Sequence, residues 1–302
     1  MKIEKLYPAF KDYIWGGEKL KTKYGKVTDL YPVAESWELS FHKDGLTSLV
    51  NGATLAETAD ALALGKRVRE KATFPMLIKL IDARNDLSVQ VHPSDEYALK
   101  NEGSLGKTEM WYIVHADEGA GIYLGFKDNT SRDAVERSIR EKSLTDLMNF
   151  YEVRSGECYF IPAGTIHAIG GGCLILEIQQ NSNVTYRVYD YGRKDRNGNE
   201  RELHISKALD VLDYGKFKHA TFDGVLGECE YFRAREIIVD GVLTFETDSE
   251  SFHCITVVSG EGRVGGVKLN TLESVFVPAD HEEYKAEGNM KIIITDIGEA
   301  KI

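Results

Sequence analysis

The chain has 302 residues, 42% of them hydrophobic and 28% charged, with a formal net charge of −11. That balance is the one found in soluble globular proteins, and the length favours two domains. Such an acidic chain has no basic face to displace counterions from nucleic acid, and no run of about eighteen apolar residues offers a membrane span. A small anionic molecule remains open as a partner, held by a few local Lys and Arg residues against the overall field. The opening Met1-Lys2-Ile3-Glu4-Lys5-Leu6-Tyr7-Pro8 lacks the apolar centre of a secretory signal, so a cytoplasmic location is expected. Cys158, Cys173, Cys229 and Cys254 form no C-x-x-C pair. Free buried thiols are therefore expected rather than a disulfide framework or a thiolate metal site.

In chain order, residues 1–50 read as strands and loops, with a turn at Trp15-Gly16-Gly17 and a half-buried strand over Glu35–Ser40. Leu55, Ala59, Leu62 and Val68 recur near helical spacing, and Thr54 with Glu57 makes a capping box, predicting one helix over 54–70. Apolar runs at Pro75–Asp82 and Leu87–His92 predict strands, followed by a short helix over Ser94–Lys100. Met110–His115 and Ala120–Phe126, rich in aromatic and β-branched residues, predict a strand pair. Ser131–Met148 is helical in pattern, with Leu144 and Leu147 inward; strands resume at Tyr151 and run to about Tyr191, and Ser206–Leu212 is a short helix. A linker is placed near Tyr214-Gly215-Lys216, and the remainder to Ile302 reads as short strands. Phe160-Ile161-Pro162-Ala163-Gly164 is echoed by Phe276-Val277-Pro278-Ala279-Asp280, which places Glu283 opposite His167. The echo predicts two related barrels, the second without the first one's polar set.

The chemistry is carried by three segments: Val89-Gln90-Val91-His92-Pro93, Gly106-Lys107-Thr108-Glu109 and Pro162-Ala163-Gly164-Thr165-Ile166-His167. Gln90, His92, Glu109 and His167 offer an amide oxygen, two imidazoles and a carboxylate, a donor set suited to zinc or a similar divalent ion. Gln90 and His92, two apart on a strand, share a face. The isolated His115, His204, His219 and His253 are read as ordinary hydrogen-bonded residues. Arg193-Lys194-Asp195-Arg196-Asn197-Gly198 is read as a solvated turn, and Trp15 and Trp37 as core or pocket wall.

Gly156, Pro162, Gly164 and His167 fit the second cupin motif, while Gln90-Val91-His92 replaces the usual first one. With Lys107-Thr108-Glu109 and the run Gln179–Arg187, the chain resembles type I mannose-6-phosphate isomerases, most closely their short bacterial form. The resemblance covers roughly residues 5–195, and the last third only as a generic cupin barrel. It implies a mainly β fold of two cupin jelly-roll barrels, a catalytic one over 1–214 with a few inserted helices and a second over 215–302 without the metal site. It also implies one zinc ion on Gln90, His92, Glu109 and His167, an essential Arg187, a pocket lysine at Lys107, and phosphate contacts from Ser88 and Arg193. The implied partner is a hexose 6-phosphate, not a membrane or nucleic acid, and no oligomeric state is indicated.

Moving a proton between C1 and C2 of such a sugar goes through an enediol and develops negative charge on oxygen. A divalent ion and the permanent charge of Arg187 can stabilise it, a single such donor being worth about 3–4 kcal/mol. The base stays open: a hydroxide on the metal or Lys107 lead, with Asp190 and Glu38 more remote candidates. The competing readings are a non-catalytic sugar-phosphate-binding cupin and a cupin-type phosphoglucose isomerase or sugar-nucleotide epimerase.

Overall fold

Strand alternation explains how the first half of the protein is built in the computed structural model, which describes residues 1–194 and 198–299. A six-stranded antiparallel sheet runs in the order Ala9–Lys11, Glu35–Leu39, Met76–Asp82, Cys173–Gln180, Glu109–Ala116 and Cys158–Ile161. A five-stranded sheet lies against it in the order Tyr186–Tyr189, Val89–Val91, His167–Ile169, Gly121–Phe126 and Met148–Glu152. Successive side chains of a strand point to opposite faces. Ile81, Trp111, Ile113 and Ile175 therefore turn inward to meet Ile122, Leu124 and Ile169 of the facing sheet. Helices Arg132–Arg140 and Ile205–Val211 cover the outer face of the five-stranded sheet through Val135, Ala208 and Leu209.

A seven-stranded antiparallel sheet makes the second half, with strands at Arg233–Phe245, His253–Val264, Ser274–Val277 and Tyr284–Asp296. Its core holds Ile255, Val257, Val275, Ile292 and Ile294. The chain start is lent to it, since Glu4 and Lys5 pair with Phe276 and Val275. Met76, Ile78, Leu80, Met110, Tyr112, Leu174, Leu176 and Ile178, on the outer face of the six-stranded sheet, join one apolar cluster with Ala234, Cys254, Phe276 and Ile293. One sheet thus serves as a wall common to both halves. No helix among the described residues is long and apolar enough to cross a membrane.

The mainly β, antiparallel architecture is the predicted one, with four local corrections. Glu35–Leu39 is buried throughout rather than half-buried, because both of its faces are covered. The capping box at Thr54 and Glu57 is present, but the helix stops at Thr58 and restarts as single turns at Ala61–Leu64 and Lys66–Arg69. Asp60 caps the second turn, and Gly65 adopts φ +86 where a Cβ would meet the Glu250 carbonyl oxygen at 2.6 Å. The strands at Glu109–Ala116 and Gly121–Phe126 belong to opposite sheets instead of pairing with each other. The later strands are long, 12 or 13 residues in three cases, rather than short. Residues 195–197 of the turn read as solvated lie outside the described residues.

The internal echo has a geometric counterpart. Phe160-Ile161 and Phe276-Val277 both close a strand, and the fifth residue of each copy turns through positive φ, Gly164 at +87 and Asp280 at +54. Ile161 pairs with Glu109 and Val277 with His253, so His253 occupies the place of Glu109 in the second sheet. Its Nδ1 lies 2.7 Å from the Tyr284 hydroxyl, and the position opposite His167 is the exposed Glu283.

Burial holds His253 down at about 4, with Arg235 and Arg233 adding to the effect and Asp296 opposing it. Between the ordinary value near 6.5 and about 4, the unfolded chain binds a proton that the folded one refuses, so stability drains away as pH falls. The cumulative cost reaches about 3 kcal/mol at the low end of that window. His253→Gln is expected to show a shallower fall in melting temperature from pH 6.5 to 4.5 than the parent protein. Parallel calorimetric curves would remove this explanation.

Candidate metal and sugar-phosphate site

Three neighbouring strands bring the first polar groups together. His167 pairs with Gln90 on one side, and Arg187 pairs with Gln90 on the other. His92 follows directly on that central strand, and the turn after Pro162 delivers His167, with the Gly164 N–H donating to the His92 carbonyl at 2.8 Å. Glu109 enters from the facing sheet as the first residue of its strand. Its inward direction follows from the same alternation that sends Met110 and Tyr112 outward.

The ligand atoms of His92, Glu109 and His167 lie within 4.8 Å of one another, and all three residues are buried. His92 Nδ1 donates to the Val184 carbonyl and His167 Nδ1 to that of Thr165, each at 2.9 Å. Those bonds fix both tautomers and make each Nε2 the ring's lone-pair nitrogen. The two Nε2 atoms face Glu109 at 3.5 and 3.4 Å. Ligands about 2.1 Å from a tetrahedral ion would be spaced by about 3.4 Å. Both Glu109 oxygens are buried, Oε2 beside the Lys107 ammonium and Oε1 with no hydrogen-bond partner among the described residues. A buried carboxylate with one oxygen unpaired, between two oriented imidazoles, fits a cation well. Gln90 presents its amide nitrogen 3.3 Å from His167 Nε2, and rotation of the amide would present the oxygen instead. Among the described residues this is the one such group of three His, Cys, Asp or Glu.

Electrostatics separate the carboxylates. Burial lowers His167 to about 4 and His92 well below its ordinary value, so both rings are neutral ligands at neutral pH. Burial, helped by the Glu177 charge, raises Glu109 to about 7 against the pull of Lys107. Burial would raise Glu177 too, but Lys107 and Lys79 overcome it and hold that carboxyl at about 2. Lys107 Nζ lies 2.6 Å from Glu109, 3.2 Å from His92 Nε2 and 3.3 Å from Glu177. Lys79 joins Glu177 at 3.0 Å and Glu35 at 3.5 Å. Trp111 closes the site, donating to Glu177 at 2.8 Å with its ring edge-on to His167.

Gln90 and Lys107 open onto a cavity of about 180 Å³ whose walls also include Tyr13, Trp15, Ser88 and Thr185. Lys79, Lys107, Arg187 and Arg201 line it against the carboxylates of Glu35 and Glu177 alone. An acidic protein has thus gathered a cationic excess in one hollow, as an anionic ligand requires. Arg187 Nε is buried without a hydrogen-bond partner, and its guanidinium makes no ion pair among the described residues.

The site therefore collects Gln90, His92, Glu109, His167, Lys107, Arg187 and Ser88 as expected from the sequence, with Arg193 as the exception. The turn at Tyr191 and Gly192, both with positive φ, folds Arg193 back, and its three guanidinium nitrogens bond to Asp190 and the Asp86 carbonyl instead of the cavity. Two remote candidate bases also fall away. Glu38 points to the other barrel, bonded to Lys26, Ser36 and Ser274, and Asp190 is held between Arg193 and Arg201. Trp15 is pocket wall, and Trp37 is core, donating to Glu35. Glu35, Lys79, Glu177 and Arg201 escaped the sequence reading. Lys79 and Glu177 each interrupt an otherwise apolar strand, Met-Leu-Ile-Lys-Leu-Ile and Leu-Ile-Leu-Glu-Ile, which is the signal that could have exposed them. Arg201 carries no such mark.

Residues 3–112 match the family described as phosphomannose isomerase type I, catalytic domain. A mannose-6-phosphate isomerase of Streptococcus mutans is 34% identical over 303 residues, covering 95% of this chain and 95% of that one. The chain belongs to the type I phosphomannose isomerase family. A Bacillus subtilis mannose-6-phosphate isomerase is likewise 34% identical, across 98% of this chain and all of its own length. The crystal structure of the mannose 6-phosphate isomerase from Bacillus subtilis superposes with a TM-score of 0.88 at 32% identity, covering 98% of this chain and 99% of the other. In this phosphomannose isomerase fold, the His–Glu–His group and most of the cationic cavity lie between the six- and five-stranded sheets of the first half.

Proposed function

We propose that the protein is a zinc-dependent isomerase that interconverts D-mannose 6-phosphate and D-fructose 6-phosphate. The observation carrying this reading is the His92–Glu109–His167 group, its lone pairs oriented by Val184 and Thr165, beside a cavity with four cations and two carboxylates. Zinc suits this set of imidazole and carboxylate donors, with Gln90 as a further ligand, and bound there would stabilise negative charge on the sugar oxygens as a Lewis acid. Arg187 faces the same oxygens with a charge that survives at any working pH, and stabilises the enediol as its charge develops. Lys107, buried against Glu109 and Glu177, is placed to carry the proton between C1 and C2. Ser88, two residues before Gln90 on the same side of the chain, lines the cavity and offers its hydroxyl to the phosphoryl group. The second barrel supports the first and carries no chemistry. Four unbridged cysteines, three of them buried, fit a reducing cytoplasmic setting.

The test is a coupled assay of purified protein supplied with zinc, together with elemental analysis. Conversion of mannose 6-phosphate with about one metal per chain is the expected result. A folded, metal-loaded protein that leaves the sugar unchanged would end this reading.

A further inference from the structure

We propose that Arg201, held by Asp190, is the guanidinium that binds the substrate's phosphoryl group, while Arg193 braces Asp190 from outside the cavity. The inference rests on the isomerase reading for its substrate but on separate geometry for the residue. Lys194 pairs with Glu200 as an isolated antiparallel bridge, which brings Arg193 and Arg201 side by side at the base of a hairpin. Both reach Asp190, whose side chain is only 5% exposed, and they differ in what remains free.

Arg193 spends every nitrogen. Nε bonds to the Asp190 carbonyl, Nη1 to the Asp86 carbonyl and Nη2 to the Asp190 carboxylate, and the guanidinium packs over the Tyr191 ring. Arg201 engages Asp190 along one edge, Nε at 2.7 Å and Nη2 at 2.5 Å. A guanidinium has five N–H donors, so three remain, and Nη1 makes no bond among the described residues. Arg201 lines the cavity and Arg193 does not. The fork of an arginine matches two oxygens of a phosphoryl group, and a carboxylate behind it fixes the direction of that fork.

The ladder gives the position along the cavity. Arg187 pairs with Gln90 beside the triad and Tyr189 with Val89, so the ladder runs away from the triad toward Asp190 and Ser88. Ser88 lines the same cavity, so a hydroxyl and a guanidinium are both offered to a ligand whose sugar oxygens reach the triad. Arg201 and Arg187 are close enough for each charge to oppose the other, and burial together with Arg201 lowers Arg187. Two cations on one hollow are relieved by a dianion between them.

Arg201→Ala, Arg201→Lys and Arg193→Ala in the zinc-loaded full chain decide the matter, assayed by turnover of mannose 6-phosphate and by calorimetric titration with fructose 6-phosphate and free fructose. Arg201→Ala is expected to raise KM and the dissociation constant of fructose 6-phosphate about 10- to 100-fold, more than it lowers kcat. Binding of free fructose should not move, and Arg193→Ala should weaken phosphate-ester binding less than Arg201→Ala. Should the alanine variant not fold, Arg201→Lys, which keeps a charge beside Asp190, supplies the comparison and should lose part of the affinity. The proposal is overturned if Arg201 variants bind fructose 6-phosphate as the parent does, or if Arg193→Ala is as damaging. It is overturned equally if the parent binds fructose 6-phosphate no better than fructose. Absent turnover with intact, Arg201-dependent binding would refute the isomerase reading and leave this assignment standing.

Discussion

Replacement of His92 by alanine is expected to remove bound metal and turnover together. The ring is buried, its Nδ1 is tied to Val184, and its Nε2 points at the Glu109 carboxylate. Loss of groups that merely orient a ligand costs about 10- to 100-fold in metal affinity, and loss of a ligand should cost at least that. Without the Lewis acid, several kcal/mol of transition-state stabilisation vanish, so kcat/KM should fall by roughly a thousandfold or more. The cavity left behind and the unpaired Val184 carbonyl should cost about 1–3 kcal/mol of stability. Elemental analysis, the coupled assay and thermal unfolding on one preparation separate these effects. A His92→Ala protein that keeps stoichiometric zinc and full activity would show that the triad is not the metal centre.

The second large effect is expected at Arg187, and there the metal should stay. Its guanidinium faces the cavity with Nε unpartnered and with another arginine as its neighbour, so the fold gains little from it. A group held in such surroundings stabilises something other than the protein. Arg187→Ala should lower kcat by about 10²–10³ with zinc content unchanged. Its melting temperature should match the parent or exceed it, because a buried charge repelled by Arg201 has gone. A fall in melting temperature with normal turnover would mean that Arg187 is structural.

Much of this site was legible because metal ligands announce themselves in short motifs. Gln90 sits on a strand that His92 directly follows, Lys107 and Glu109 enter from a loop into another, and the turn at Pro162 and Gly164 carries His167. Each depends on local spacing, which a sequence displays directly. The same logic recovered the capping box at Thr54 but not the break at Gly65, whose cause is the Glu250 backbone some 185 residues away in the chain. Pairing partners were missed for a similar reason. Glu109–Ala116 and Gly121–Phe126 are neighbours in sequence, yet each finds its hydrogen bonds in a different sheet. Lys79 and Glu177 became intelligible only once they stood across adjacent strands, where neither charge would be tolerable alone. Arg193 was misplaced because a motif fixes residue type and spacing, whereas two left-handed residues at Tyr191 and Gly192 decide where the side chain goes.

The sheet shared by the two halves carries a consequence for any attempt to dissect the enzyme. The strands that carry Lys79, Glu109 and Glu177 on their inner face put Ile78, Met110 and Ile178 on the reverse side, in an apolar cluster shared with the second half of the chain. Each such side chain is worth about 1.5–3 kcal/mol when buried, against a stability of about 5–15 kcal/mol for a whole domain. A fragment ending near residue 214 would strip Ala234, Cys254, Phe276 and Ile293 from that cluster and loosen the sheet that keeps its ligands in register. The second half acts as an anvil: remove it, and the sheet that carries Lys79, Glu109 and Glu177 loses part of what it is shaped against.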